Sequence, residues 1–78
     1  MSDIILSHRE KQILLLTAKG LLPRQIAEEI SISALTVGHY LDKLRGYFKA
    51  DSNAGLVAQA FVHGWLAAEQ GEVCLKGE

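Results

Sequence analysis

The chain is expected to be all-α: four helices joined by short connections. Three observations carry that expectation. Apolar residues recur at spacings of three and four, and no segment shows a strand signal. Helix-starting residues stand at Ser7, Pro23, Ser33 and Asp51-Ser52. Gly20 and Ser31 supply stops between them. The 78 residues suffice for one small domain, spanning 1–78.

Ser7-His8-Arg9-Glu10 reads as a capping box, with the Ser7 hydroxyl accepting from the backbone and Glu10 reaching back. Ile13, Leu14, Leu16 and Ala18 follow at helical spacing, so the first helix is placed over 8–19. Pro23 suits a first helical turn, where its missing N–H costs nothing. Ile26, Ala27 and Ile30 form a short apolar face, giving a second helix over 23–30. Ser33 caps a third helix whose apolar residues are Val37, Leu41, Leu44 and Phe48, one stripe. Gly38 and Gly46 lie in that helix and cost about 1 kcal/mol each relative to alanine. The fourth helix is placed over 53–69, capped by Asp51 or Ser52. From Ala54 to Ala68 only Gln59 and His63 are polar, glycines aside. Such a helix needs cover on more than one side. A second copy of the chain, meeting Ala58, Phe61, Val62 and Trp65 across a two-fold axis, is the simplest cover. The segment 70–78 shows no strong pattern and is expected to fray. The initial methionine and complete capping region lead to the expectation of a whole small protein.

The formal net charge is −1, which argues against a generic nucleic-acid coat but leaves room for local positive charge. The acidity gathers in residues 50–78, where Lys76 faces Asp51, Glu69, Glu72 and Glu78. A single cysteine, Cys74, permits no internal disulfide and fits a reducing compartment. No signal peptide or membrane-length apolar run is present. A cytoplasmic setting is expected, with no membrane partner. His8, His39 and His63 lack metal-ligand spacing, so no metal is expected. No cofactor loop or catalytic carboxylate pair is seen, so no cofactor and no enzyme activity are expected.

The second helix, a tight turn and the third helix form a helix-turn-helix arrangement. The segments "LSHREKQILLLTAKG", "QIAEEISIS", "TV" and "LVAQAFVHGWL" fall in the order and spacing of the LuxR/GerE DNA-binding domain, which residues 6–66 resemble. That resemblance implies four helices, with the third in the DNA major groove and the fourth at a dimer contact. The chain departs from the family pattern at several positions. Gly38 replaces a customary lysine, Tyr40 a histidine, and Tyr47-Phe48-Lys49 a Lys-Leu-Gly; Asn53 replaces an arginine, and Leu22 a capping serine or threonine. Each lost phosphate contact lowers affinity and flattens its salt dependence.

On this resemblance the DNA-binding candidates are Arg24, Thr36, Gly38, His39, Lys43 and Arg45. Thr36 is read as a phosphate donor, the alternative being a cap within the first turn. His39 faces phosphate, base edge or solvent. Lys43 is read as a phosphate contact. Arg45 and Lys49 are peripheral or solvated, and Arg24 is either near the backbone or a plain surface charge. Gly38 either admits the DNA backbone or marks a lost contact. Asp42 repels phosphate, yet a carboxylate accepts from a cytosine amino group. Two functions compete. One is a homodimeric, sequence-specific transcription regulator on double-stranded DNA. The other is an interaction protein that pairs with a larger regulator of the same family and blocks it.

Overall fold

Ser7 opens the first helix as its sequence requires. Its hydroxyl accepts from the Glu10 N–H at 3.1 Å, and Glu10 accepts from the Ser7 N–H at 2.8 Å. In a computed structural model, which describes residues 4–76, the elements run α1 (His8–Ala18), α2 (Pro23–Ile30), α3 (Ala34–Phe48), α4 (Asn53–Val62), β1 (Leu66–Glu69) and β2 (Glu72–Leu75). Ser33 caps α3 by accepting from the Thr36 N–H at 3.0 Å. Ser52, rather than Asp51, caps α4 by accepting from the Gly55 N–H at 3.0 Å. Leu22 has no capping side chain, but Gln25 reaches back to its N–H at 2.7 Å. That bond is the reciprocal half of a capping box; the half that an N-cap hydroxyl would supply, accepting from the Gln25 N–H, is absent.

The core is the meeting of the helical stripes. Ile13 and Leu14 of α1, Ile26 of α2, Val37 and Leu44 of α3, and Leu56 and Ala60 of α4 are fully buried. Each large aliphatic side chain so buried contributes about 1.5–3 kcal/mol relative to exposure. All four members of the α3 stripe, Val37, Leu41, Leu44 and Phe48, face inward. This fixes α3 as the central helix, with α1, α2 and α4 all packed on it.

The structure departs from the sequence expectation after Val62. The fourth helix does not run to 69. His63 closes it, Gly64 takes φ +80°, and the Trp65 N–H turns back to the Ala60 carbonyl at 2.9 Å. A positive φ is open to glycine at little cost, so Gly64 is where the helix stops. The chain then forms an antiparallel hairpin, with Leu66 opposite Leu75 and Ala68 opposite Val73. Gln70 and Gly71 both adopt positive φ, the geometry of a two-residue hairpin turn. Leu66, Val73 and Leu75 share one face and pack on the helical core. The segment expected to fray is therefore held in the hairpin, with residues 70 and 71 as its turn and 72 to 75 paired; residues 77 and 78 lie outside the described residues.

Lys49 closes α3 in the left-handed region at φ 55°. A side chain there costs about 1–2 kcal/mol. Lys49→Gly is expected to stabilise the fold by about 1 kcal/mol, which raises the melting temperature of a domain this size by about 4–8 °C. Thermal denaturation followed by circular dichroism checks this; an unchanged midpoint would show that the left-handed strain is already relieved.

Candidate nucleic-acid interface

The geometry of α3 follows from counting. Each helical residue turns about 100°, so stepping two residues back from a buried position reaches nearly the opposite side. Two back from Val37, Leu41, Leu44 and Phe48 stand Leu35, His39, Asp42 and Gly46. All four are exposed. They form the outward stripe of the helix. Leu35 is 70% exposed, an apolar side chain held in solvent at the start of α3.

One flank of α3 leans toward α1. There Glu10 is the sole buried charged residue among those described, at 4% exposure. Its carboxylate holds the Ser7 N–H and accepts from the Tyr47 hydroxyl at 3.1 Å, while Lys43 Nζ lies 3.7 Å away. Burial alone raises the Glu10 carboxyl. Hydrogen bonds from the Ser7 backbone, the Tyr47 hydroxyl and the Ser7 side chain, with the Lys43 charge, outweigh it and leave the group below its ordinary value. Lys43 also sits 5.9 Å from the Tyr40 ring centroid. Its side chain remains 58% exposed, so the ammonium keeps access to solvent and to an incoming anion.

The other flank leans toward α4. Arg45 is half-buried and bridges two elements: Nη2 donates to Asp42 Oδ1 one turn back, and Nη1 donates to Asn53 Oδ1 at the first residue of α4. Asn53 therefore has a definite task, orienting a guanidinium.

Of the remaining candidates, Thr36 is exposed in the first turn, and the Ser33 hydroxyl donates to its Oγ1 at 2.9 Å. Arg24 is exposed at the second residue of α2. Gly38 flanks the outward stripe, and a Cβ there meets nothing within 4 Å; the same holds at Gly46. Internal packing requires neither glycine. On α4, Ala54, Ala58, Phe61 and Val62 are exposed at spacings of four, three and one, so they share one face. Trp65 follows Gly64, half-buried and packed against the core. Arg9 donates to Gln12 Oε1 at 3.2 Å.

Three participants escaped the sequence reading. Leu35 was identifiable by the four-three-four spacing offset by two from the core stripe. Tyr47 and Asn53 act across elements, where local pattern gives no signal. Among the described residues no group of His, Cys, Asp or Glu could hold a metal ion.

Comparison with known proteins bears on the fold. Residues 4–60 match the model of the bacterial regulatory proteins of the luxR family, GerE. The chain is 41% identical over 61 residues to the transcriptional activator protein ExaE of Pseudomonas putida, covering 78% of this chain and 28% of that protein. Among solved structures it is similar to the Vibrio cholerae VqmA dimer in the absence of target DNA, with a TM-score of 0.77 and 37% identity over 80% of this chain. It is also similar to the VqmA–ligand–DNA complex, with a TM-score of 0.75 and 36% identity over 82% of this chain. The chain spans 28% of the length of ExaE and of the VqmA chain in each of these structures. The hairpin at 66–75 lies beyond the residues that the family model matches. The four helices, their order and these matches agree: the chain belongs to the LuxR family of bacterial regulatory proteins.

Proposed function

We propose that the protein is a sequence-specific regulator of transcription that binds double-stranded DNA as a homodimer. Helix α3 enters the major groove with its outward stripe toward the bases. Thr36 and Lys43 meet phosphates on one side of that stripe. Arg24 approaches the backbone from α2, and His39 faces a base edge or phosphate. The observation that carries the reading is the outward stripe itself: a capped helix, anchored on one face by the core, presents Leu35, His39 and Asp42 together to solvent. The exposed face of α4, with no charged residue from Asn53 to Val62, supports a two-fold contact between copies. Trp65, half-buried just after the helix, completes that contact with Ala58, Phe61 and Val62. The cytoplasm is the compartment where such a regulator works, and no helix among the described residues is long and apolar enough to cross a membrane.

The test is selection of bound duplexes from a random pool at low salt. Enrichment of a two-fold-related motif supports the reading. A folded protein that retains no duplex, yet forms a heterodimer with a longer family member, would favour the interaction-protein function in its place. On a selected duplex, Lys43→Ala is expected to weaken binding and to reduce the slope of log affinity against log salt by about one unit. An unchanged slope removes Lys43 from the phosphate contacts.

A further inference from the structure

Asp42 is an acid on the surface offered to a polyanion, and its surroundings account for it. Its side chain is 68% exposed and belongs to the outward stripe of α3. Arg45 binds its Oδ1, and Asn53 holds the other arm of the same guanidinium. The guanidinium offsets the carboxylate charge, so the pair as a whole does not repel phosphate. Its two anchors, one on each helix, also fix where the carboxylate stands. An ionised carboxylate only accepts hydrogen bonds, and one arginine contact leaves Oδ2 free to accept from a second donor.

Resting on the DNA-reading function proposed above, we infer that Asp42 is a specificity-determining residue that accepts from the exocyclic amino group of a cytosine, and that Arg45, oriented by Asn53, is its positioning residue. In the major groove the cytosine amino group is a donor with no acceptor beside it on the same base. Adenine presents its amino group next to N7, which would face the second carboxylate oxygen with like polarity. Guanine and thymine offer the carboxylate only acceptors there. Gly38 and Gly46 lie four residues to either side of Asp42, and neither is needed for packing, so the helix surface around the carboxylate is low. A short side chain such as aspartate reaches a base edge only where its neighbours do not hold the helix off.

The experiment compares three proteins in the same duplex selection, followed by competition with duplexes altered at single base pairs. The unmodified protein is expected to enrich cytosine at one position in each half-site. Replacing that cytosine lowers affinity about five- to hundredfold. Asp42→Asn is expected to lose the cytosine preference and turn toward adenine, which asparagine reads in bidentate fashion. Arg45→Gln is expected to shrink the cytosine preference at that pair several-fold while preferences elsewhere in the site stay as they were. A motif for Asp42→Asn identical to that of the unmodified protein overturns the inference and leaves DNA reading intact. Arg45→Gln weakening all duplexes evenly, with the cytosine preference kept, overturns the positioning role. If the unmodified protein enriches nothing, DNA reading itself fails and the inference falls with it. Circular dichroism of both variants confirms that the helices are retained.

Discussion

On the α4 contact proposed above, Val62→Glu is expected to turn the protein from dimer to monomer and to weaken binding to a two-fold DNA site by about a hundredfold or more. Val62 is 74% exposed, so within one copy the glutamate stands in water and the fold is undisturbed. Between copies it would be placed in an uncharged, apolar contact with no cation on the same helix to pair with it. Two linked half-site contacts then become two independent ones, and the gain from effective concentration is lost. Sedimentation reads the first effect and duplex titration the second. Affinity for a single half-site serves as the control and is expected to stay the same. A Val62→Glu protein that still sediments as a dimer would remove this face of α4 from the interface.

Glu10→Ala is expected to destabilise the fold by about 2–3 kcal/mol, lowering the melting temperature of a domain this size by roughly 10–20 °C. The carboxylate holds the Ser7 N–H at the start of α1 and accepts from Tyr47 of α3. Its removal takes a charged acceptor from the Ser7 N–H and the Tyr47 hydroxyl at a part-buried position, where water replaces it only in part. Glu10→Gln retains an acceptor and loses the charge, so it is expected to cost less. The unmodified protein and Glu10→Gln also differ with pH. Because the folded-state carboxyl lies below its ordinary value, its stabilisation is complete above the ordinary glutamate pKa and is lost as pH falls through the lower folded value. Stability of Glu10→Gln should therefore fall less steeply on acidification. Equal acid limbs for the two proteins would mean that Glu10 titrates alike in the folded and unfolded chain.

Much of the fold was legible because its signals are local. The Ser7–Glu10 box, Pro23 and Ser33 each fix a helix start within three residues of chain. The spacing of Val37, Leu41, Leu44 and Phe48 states which side of α3 is buried. The hairpin was hidden for the opposite reason. Its strands contain Ala67 and Ala68, which favour helix, and Gln70 stands where Asn or Asp would announce a turn. The apolar run continued past Val62 and imitated more helix, and Gly64 inside it carried the only local warning. For the candidate site, the sequence placed His39, Asp42 and Lys43 on the outer sides of α3. It did not disclose that Glu10 serves α1 and α3 together, because Tyr47 and Lys43 reach it from far along the chain. The link from Arg45 to Asn53 was equally out of view, since it depends on the angle at which α4 leaves α3.

The hairpin also bears on how the protein comes into being during synthesis. Leu75 borders the same surface cleft as His8 and Leu15, so the first helix is finished by residues that follow all four helices in sequence. As the polypeptide leaves the ribosome, α1 to α4 emerge in order with an edge of their core uncovered. Only when Leu66, Val73 and Leu75 clear the exit tunnel does that edge close. The newborn helices thus lack that cover until β2 has followed them out.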